Sequence, residues 1–417
     1  MNFTFKIASE EMKTACEKLR FGGGSAVSFK FMKDKEGKPA VSMVTSDGIS
    51  QCQTNPISIS TEDAPQDFIT GILLLDIVKS IAQFDTKITL EVDSSSCKLK
   101  CGTADLTVDL VKEAAGIELH EEEQKGLLAF GVLTEDFSHA LNVAGMFGGH
   151  AADDIKEAAH NGTYHISFKK KDENVVMCIC STFSTAFVGY SKCKIGVMEQ
   201  FEEGLLDTRC IVRISNLKAL RDCVLDEQAA IYLTKIHLIA NDSKATYITT
   251  LVNGTYSDKI TEMGDMAEYD CRYELGRKEL LTAVDCIRIG MDGLKEKDIL
   301  SVNVSGDKVS VRSYDERQEV ALKDTGEKEG DEFHVILSTM YFRKALATFS
   351  SDRIIFRSNL KMRGIVTLCD NEDDKAVLMP IMREAVEESL RNAEEEETKK
   401  AKKGGKAAKA VDIEAKS

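Results

Sequence analysis

One apolar helix spacing occurs three times along this chain in matching register. Met12, Ala15, Cys16 and Leu19 stand at i, i+3, i+4 and i+7; Phe137, Ala140, Leu141 and Ala144 repeat it, and so do Leu280, Ala283, Val284 and Ile287. Each set lays four small or apolar side chains along one stripe of an α-helix. A second striped helix follows each copy: Leu74, Ile77, Val78 and Ile81; then Leu217, Leu220 and Val224, with Arg221 at the i+4 position; then Phe342, Ala345, Leu346 and Phe349. The step from first to second helix is 62 positions from Met12 to Leu74, 80 from Phe137 to Leu217 and 62 from Leu280 to Phe342. One insertion of 18 residues in the middle copy accounts for the difference. The chain is read as three like domains of roughly 125 to 145 residues, an ordinary domain size, spanning 1–124, 125–267 and 268–383.

Between the helices the pattern changes period. Ala26-Val27-Ser28-Phe29-Lys30-Phe31, Lys87-Ile88-Thr89-Leu90-Glu91-Val92 and Ile299-Leu300-Ser301-Val302-Asn303-Val304 alternate apolar with polar residues, as half-buried antiparallel strands do. Turn clusters such as Lys35-Glu36-Gly37-Lys38-Pro39 and Asp93-Ser94-Ser95-Ser96 separate them. Each domain therefore reads as two βαβββ halves, with helices on one face of antiparallel sheets, an α+β architecture. Polar stretches at 118–126 and 263–268 mark the linkers. The segment 384–417 segregates acidic from basic residues and has almost no large apolar ones, so it is expected to be a frayed helix passing into a disordered tail.

Apolar content of 43% and charged content of 29% fit a globular chain. No apolar run reaches the ~18 residues of a membrane span, and no basic-then-apolar leader precedes Lys6. A cytoplasmic, nucleoid-associated location is expected. The twelve cysteines form no CxxC pair, and several alternate within strand-like runs, as Cys178 and Cys180 do. They read as small buried apolar residues in a reducing compartment. A net charge of −15 argues against bulk attraction of nucleic acid. The six helix windows nonetheless sum to +2, which leaves −17 on the rest of the chain.

Catalytic patterns are missing. Gly22-Gly23-Gly24-Ser25 is not a phosphate loop, and Gly290-Met291-Asp292-Gly293 is not a dinucleotide fingerprint. His160 and His165 flank a turn, and Asp153-Asp154 and Asp373-Asp374 sit in polar loops. No GxSxG or HExxH run occurs. No cofactor, metal or catalytic residue is implied.

The third unit ends Asp374-Lys375-Ala376-Val377-Leu378-Met379-Pro380-Ile381-Met382-Arg383. A strand closing on Met-Pro and followed by Met-Arg resembles the C-terminus of the bacterial β sliding clamp, the processivity subunit of DNA polymerase III. Val44-Thr45-Ser46-Asp47-Gly48 and Arg312-Ser313-Tyr314-Asp315 resemble the strand ends that recur in clamp domains. The resemblance spans roughly 1–383 and points to a divergent form, from a phage, a plasmid or a distant bacterial lineage. It implies a head-to-tail homodimer closed around duplex DNA without sequence preference, with a replicative polymerase and a clamp loader as partners and no membrane.

Helix cations Lys13, Lys18, Arg20, Lys79, Lys218, Arg221, Lys278, Arg343 and Lys344 would then face DNA. Leu106 and Val108 of an edge strand and Ile287 and Ile289 of a helix would meet across the dimer interface. Val377, Met379, Pro380 and Met382, with Thr182, would line a pocket for partner peptides. The chain departs from the family where Ser181-Thr182-Phe183-Ser184-Thr185-Ala186 replaces a Thr-Asp-Gly-His-Arg-Leu type run, and in its extension over 384–417. Set against this reading are a three-domain interaction scaffold that never encircles DNA and, behind it, an enzyme with dispersed catalytic groups.

Overall fold

The structure is a computed structural model. It describes residues 2–382 and Glu384, apart from 120–122, 124–125, 149–161, 184–185, 224–225, 255–261, 263–268, 292–297, 306–307, 331 and 360–363. Val224, His160, the Asp153-Asp154 pair, most of both linkers and the tail beyond Glu384 lie outside the described residues.

All six striped segments are helices: α1 (Ser9–Leu19), α2 (Leu73–Ile81), α3 (Thr134–Ala144), then, after a further helix α4 (Glu199–Leu206), α5 (Ile214–Cys223), α6 (Arg277–Gly290) and α7 (Thr339–Thr348). Their stripes are buried, from Met12 and Leu19 in α1 to Phe342 and Leu346 in α7, with Ile77 half-buried. α4 falls within the middle repeat, where the longer helix-to-helix step requires added chain.

Each repeat is doubled internally, and the backbone shows how. The strand before the first helix pairs with the strand after the second: Phe3–Ala8 with Lys87–Val92, Leu128–Leu133 with Gln228–Leu233, and Cys271–Gly276 with Arg353–Asn359. The strand after the first helix pairs with the strand before the second: Ala26–Lys33 with Phe68–Gly71, Thr163–Lys171 with Arg209–Arg213, and Ile299–Ser305 with Phe333–Ser338. All six ladders are antiparallel.

Helix starts obey the same exchange. A helix leaves its first N–H groups without intrahelical partners, and no side chain caps α1, α2, α3, α6 or α7. A carbonyl from the opposite half does so instead. Ser9 N–H donates to Thr86 O at 3.0 Å and Ile72 N–H to Ser25 O at 2.9 Å. Thr134 donates to Glu227 at 3.0 Å and Ile214 to Gly162 at 2.9 Å; Arg277 donates to Asp352 and Thr339 to Asp298, both at 2.9 Å. Six backbone bonds of one kind define six equivalent half-units.

The chain divides into two compact units. The first, Met1–Thr182 with Ser191–Asp258, holds the first repeat and most of the second, and is built on two apolar cores. One gathers Phe5, Met12, Leu74 and Leu90; the other gathers Phe137, Leu141, Ile179 and Leu217. The second unit holds the third repeat together with Phe183–Tyr190, and its buried rings Phe333 and Phe356 stack at 5.3 Å. Gly22-Gly23-Gly24 is a turn, as its composition suggests: Gly23 and Gly24 have φ of 69° and 81°, and a Cβ on Gly24 would lie 2.0 Å from Ser46 O. Asp47 and Asp315 each close a strand end, accepting from the backbone N–H of Ser50 at 2.6 Å and of Arg317 at 3.2 Å. Eleven cysteines are buried and Cys286 is exposed.

Candidate functional site

Each repeat bridges its two helices with an arginine. Arg20, just past α1, forms an ion pair with Asp76 of α2. Arg221 of α5 donates from Nη1 to Asn142 Oδ1 of α3 at 3.1 Å. Arg343 of α7 holds Asp285 of α6 with two bonds, from Nε at 2.6 Å and Nη2 at 3.3 Å. Three of the cations assigned to a DNA-facing surface are thus positioned by groups on the neighbouring helix. Lys278 lies 3.0 Å from exposed Asp352 and holds that carboxyl below the usual range. Lys79 is exposed, and Lys13, Lys218 and Lys344 are half-buried.

Lys18 departs from expectation. Its side chain is 2% exposed and forms an ion pair with the equally buried Asp242, and Nζ also donates to Cys223 O at 2.8 Å. Standing three positions after Ala15, Lys18 flanks the apolar stripe of α1, and the second repeat packs over it. It joins two repeats and does not offer its charge to a ligand.

The repeats join strand to strand. In the first unit, Ser50–Thr54, the third strand after α1, pairs with Ala245–Thr249, in the last strand of the second repeat. In the second unit, Phe187–Tyr190, from the third strand after α3, pairs with Lys375–Leu378, the last strand of the third repeat. Two strands of the same classes stand at sheet edges: Glu319–Leu322, the third after α6, and Ala104–Asp109, the last of the first repeat. Leu106 on that last strand is 40% exposed, and Ile289 on α6 is 70% exposed. Val108 and Ile287 correct the expected interface, because both are buried in the cores of their own repeats. The strand Glu319–Leu322 escaped the sequence reading, its short Glu-Val-Ala-Leu pattern being too brief to mark an edge.

The C-terminal wall is laid on the second unit's sheet. Val377 is buried opposite Val188; beyond it, Met379 N–H donates to Ala186 O at 2.8 Å and Ile381 N–H to Ile336 O at 2.9 Å. Met379 and Pro380 are half-buried and Met382 is 52% exposed. Tyr341 stacks on Phe187 with centroids 4.0 Å apart and meets Phe183 at 5.4 Å. This aromatic group was not legible in the sequence, because Tyr341 merely precedes a stripe and Phe183 and Phe187 flank a turn. Thr182 belongs to the first unit and is fully buried, so its hydroxyl is withdrawn from solvent. Among the described residues no cluster of His, Cys, Asp or Glu is placed to hold a metal ion.

No family model and no curated protein matches the sequence. Solved structures do match the fold. The DNA polymerase sliding clamp from Bacillus subtilis superposes with a TM-score of 0.74 at 13% identity, covering 92% of this chain and 100% of that one. The C. crescentus beta sliding clamp gives 0.75 at 11% identity with the same coverage. The sliding clamp from Pseudomonas aeruginosa gives 0.73 at 15% identity, covering 91% of this chain and 100% of that one. The six equivalent half-units are therefore those of the bacterial β sliding clamp fold, in a chain only 11–15% identical to these structures in sequence.

Proposed function

We propose that this protein is a DNA sliding clamp, a ring-shaped homodimer that encircles duplex DNA and tethers a replicative polymerase for processive synthesis, without a catalytic site of its own. The observation that carries this reading is the repeated strand junction. Twice, the third strand after a repeat's first helix pairs with the last strand of the next repeat. Applied once more between copies, the same pairing joins Glu319–Leu322 of one protomer to Ala104–Asp109 of another, head to tail. An alternating apolar strand such as Ala104–Asp109 is a liability at an open edge and a ready site for strand addition.

Encirclement suits an acidic chain. Retention comes from topology, and tight phosphate contacts would arrest sliding. Modestly basic helices within a negative protein would guide DNA by screened attraction reaching about 8–10 Å. Lys13, Arg20, Lys79, Lys218, Arg221, Lys278, Arg343 and Lys344 are the residues assigned that role. Met379, Pro380 and Met382 supply an adaptable apolar surface for peptides of the polymerase and the clamp loader.

The test is retention on circular against linearised plasmid after loading by the cognate loader and ATP. Stable retention on the circle, lost on cutting, is expected. Equal behaviour on both forms, with loading independently demonstrated, would overturn the reading in favour of a scaffold that does not encircle DNA.

A further inference from the structure

Where the first two repeats join, Cys52 Sγ lies 3.7 Å from Cys223 Sγ, across 171 positions of sequence. Cys52 is central in the strand Ser50–Thr54, paired there with Tyr247, and Cys223 is the last residue of α5. Both are buried. The backbone carbonyl of Cys223 accepts the Lys18 ammonium at 2.8 Å, so the buried Lys18–Asp242 ion pair adjoins the two thiols. Two small apolar residues would fill this space equally well; two thiols in contact add a chemistry that packing does not require.

We propose that Cys52 and Cys223 form a peroxide-responsive dithiol that closes into a disulfide, stapling the first repeat to the second. The sulfurs are already in contact and need approach only to about 2 Å, a movement on the scale of side-chain rotation. The Cys223 sulfur attacks one oxygen of hydrogen peroxide; the O–O bond breaks, hydroxide leaves and takes up a proton as water, and a sulfenic acid remains. The Cys52 sulfur then attacks the Cys223 sulfur, the S–O bond breaks and a second water departs. In total two thiols give up two electrons and two protons, and one peroxide becomes two waters. A dithiol reductant reverses the step by exchange.

The order of attack follows from the shared hydrogen bond, which raises the pKa of Cys52 and lowers that of Cys223; burial and the Asp242 carboxylate raise both, and Lys18 lowers both. Thiolate character controls the reactivity of a thiol. Cys16 and Cys210, by contrast, are pushed up to about 12 by burial. The inference rests on this seam alone and stands apart from the clamp reading.

The experiment exposes the reduced full-length protein to graded hydrogen peroxide, alkylates it under denaturing conditions, and maps peptides by mass spectrometry without reduction. Exposed Cys286 reports the dose in the same molecule. The expected result is a Cys52–Cys223 linked peptide pair, lacking two hydrogens, that accumulates more slowly than Cys286 oxidation and disappears with dithiothreitol. The oxidised protein should also melt on the order of 5 °C higher than the reduced form, and Cys52→Ser and Cys223→Ser should each abolish both the link and the rise. Full alkylation of Cys52 and Cys223 at doses that consume Cys286 would overturn the proposal. So would sulfinic acid on either residue without a link, or links to other cysteines. The wild-type map decides the question even where a variant fails to fold.

Discussion

Lys18 and Asp242 form a fully buried ion pair that ties helix α1 of the first repeat to a turn of the second. The carboxylate is also held from its own side, since Asp242 Oδ1 accepts the backbone N–H groups of Lys244 and Ala245, each at 2.8 Å. Asn55 crosses the same seam, its N–H donating to Lys244 O at 2.8 Å and its side-chain amide to Asp242 O at 3.3 Å. The charges thus sit in a network whose members come from both repeats. A buried pair contributes little against a well-packed apolar substitute, but breaking it strands a charge.

Lys18→Ala is therefore expected to destabilise the chain by about 3–5 kcal/mol, leaving the Asp242 carboxylate buried without its cation. Lys18→Met combined with Asp242→Asn should recover most of that loss, because the amide oxygen can still accept from Lys244 and Ala245. Urea denaturation of the wild type and the two variants checks this. A single Lys18→Ala cost no larger than that of an exposed lysine would contradict the buried pair.

Asp93 carries a pH prediction. Its carboxylate accepts the backbone N–H of Ser95 at 2.6 Å and of Ser96 at 2.7 Å, and the Ser96 hydroxyl at 2.8 Å. These bonds, the backbone bond from Ser95 foremost, hold its pKa at about 2. A pKa depressed in the folded state means stability that is fully present above the unfolded value of about 3.9 and lost as pH falls through the folded one. Asp93→Ala should melt below wild type at pH 6, with the gap closing between about pH 4 and pH 2. Thermal melts across that range provide the measurement, and a gap that persists unchanged at pH 2 would count against the assignment.

The helices were legible because their stripes are long and three-fold repeated; Met12, Phe137 and Leu280 head them in matching register. Their caps were not. Ala8, Ile72, Leu133 and Gly276 precede the helices where a Ser, Thr or Asp would advertise an N-terminus, and the capping carbonyls arrive from Thr86, Ser25, Glu227 and Asp352 on the opposite half. Bonding between main-chain groups leaves no residue signature. Helix α4 was missed for a related reason: Glu-Gln-Phe-Glu-Glu-Gly-Leu-Leu buries only Leu205, and no stripe develops over eight residues. Lys18 was misassigned because a lysine beside a stripe looks the same whether solvent or another repeat covers it.

On the clamp reading, the arginine bridges set the strength of DNA contact. Asp76 and Asp285 offset Arg20 and Arg343, so removing those acids should strengthen equilibrium binding to a short duplex. Asp76→Asn and Asp285→Asn are each expected to tighten binding at low salt. Arg343→Ala should weaken it and lower the salt slope by about 1. Fluorescence anisotropy over a salt series resolves both effects. An Arg343→Ala protein with wild-type affinity and slope would remove Arg343 from the DNA-facing set.

Edge pairing makes the last prediction. Leu106 is exposed on the strand Ala104–Asp109, whereas Val108, two residues on, is buried in the core of the first repeat. Leu106→Lys places a charge where a second protomer's strand would lie and takes little from the fold. It should convert a dimer to monomers in sedimentation equilibrium with a melting temperature close to that of dissociated wild type. Val108→Ala should act differently, costing about 1–3 kcal/mol through lost burial and a cavity. The same dissociation should follow from Ala321→Pro on Glu319–Leu322, since proline removes a donor and is tolerated where a strand lies at an edge. A Leu106→Lys protein that still sediments as a dimer would place the interface elsewhere.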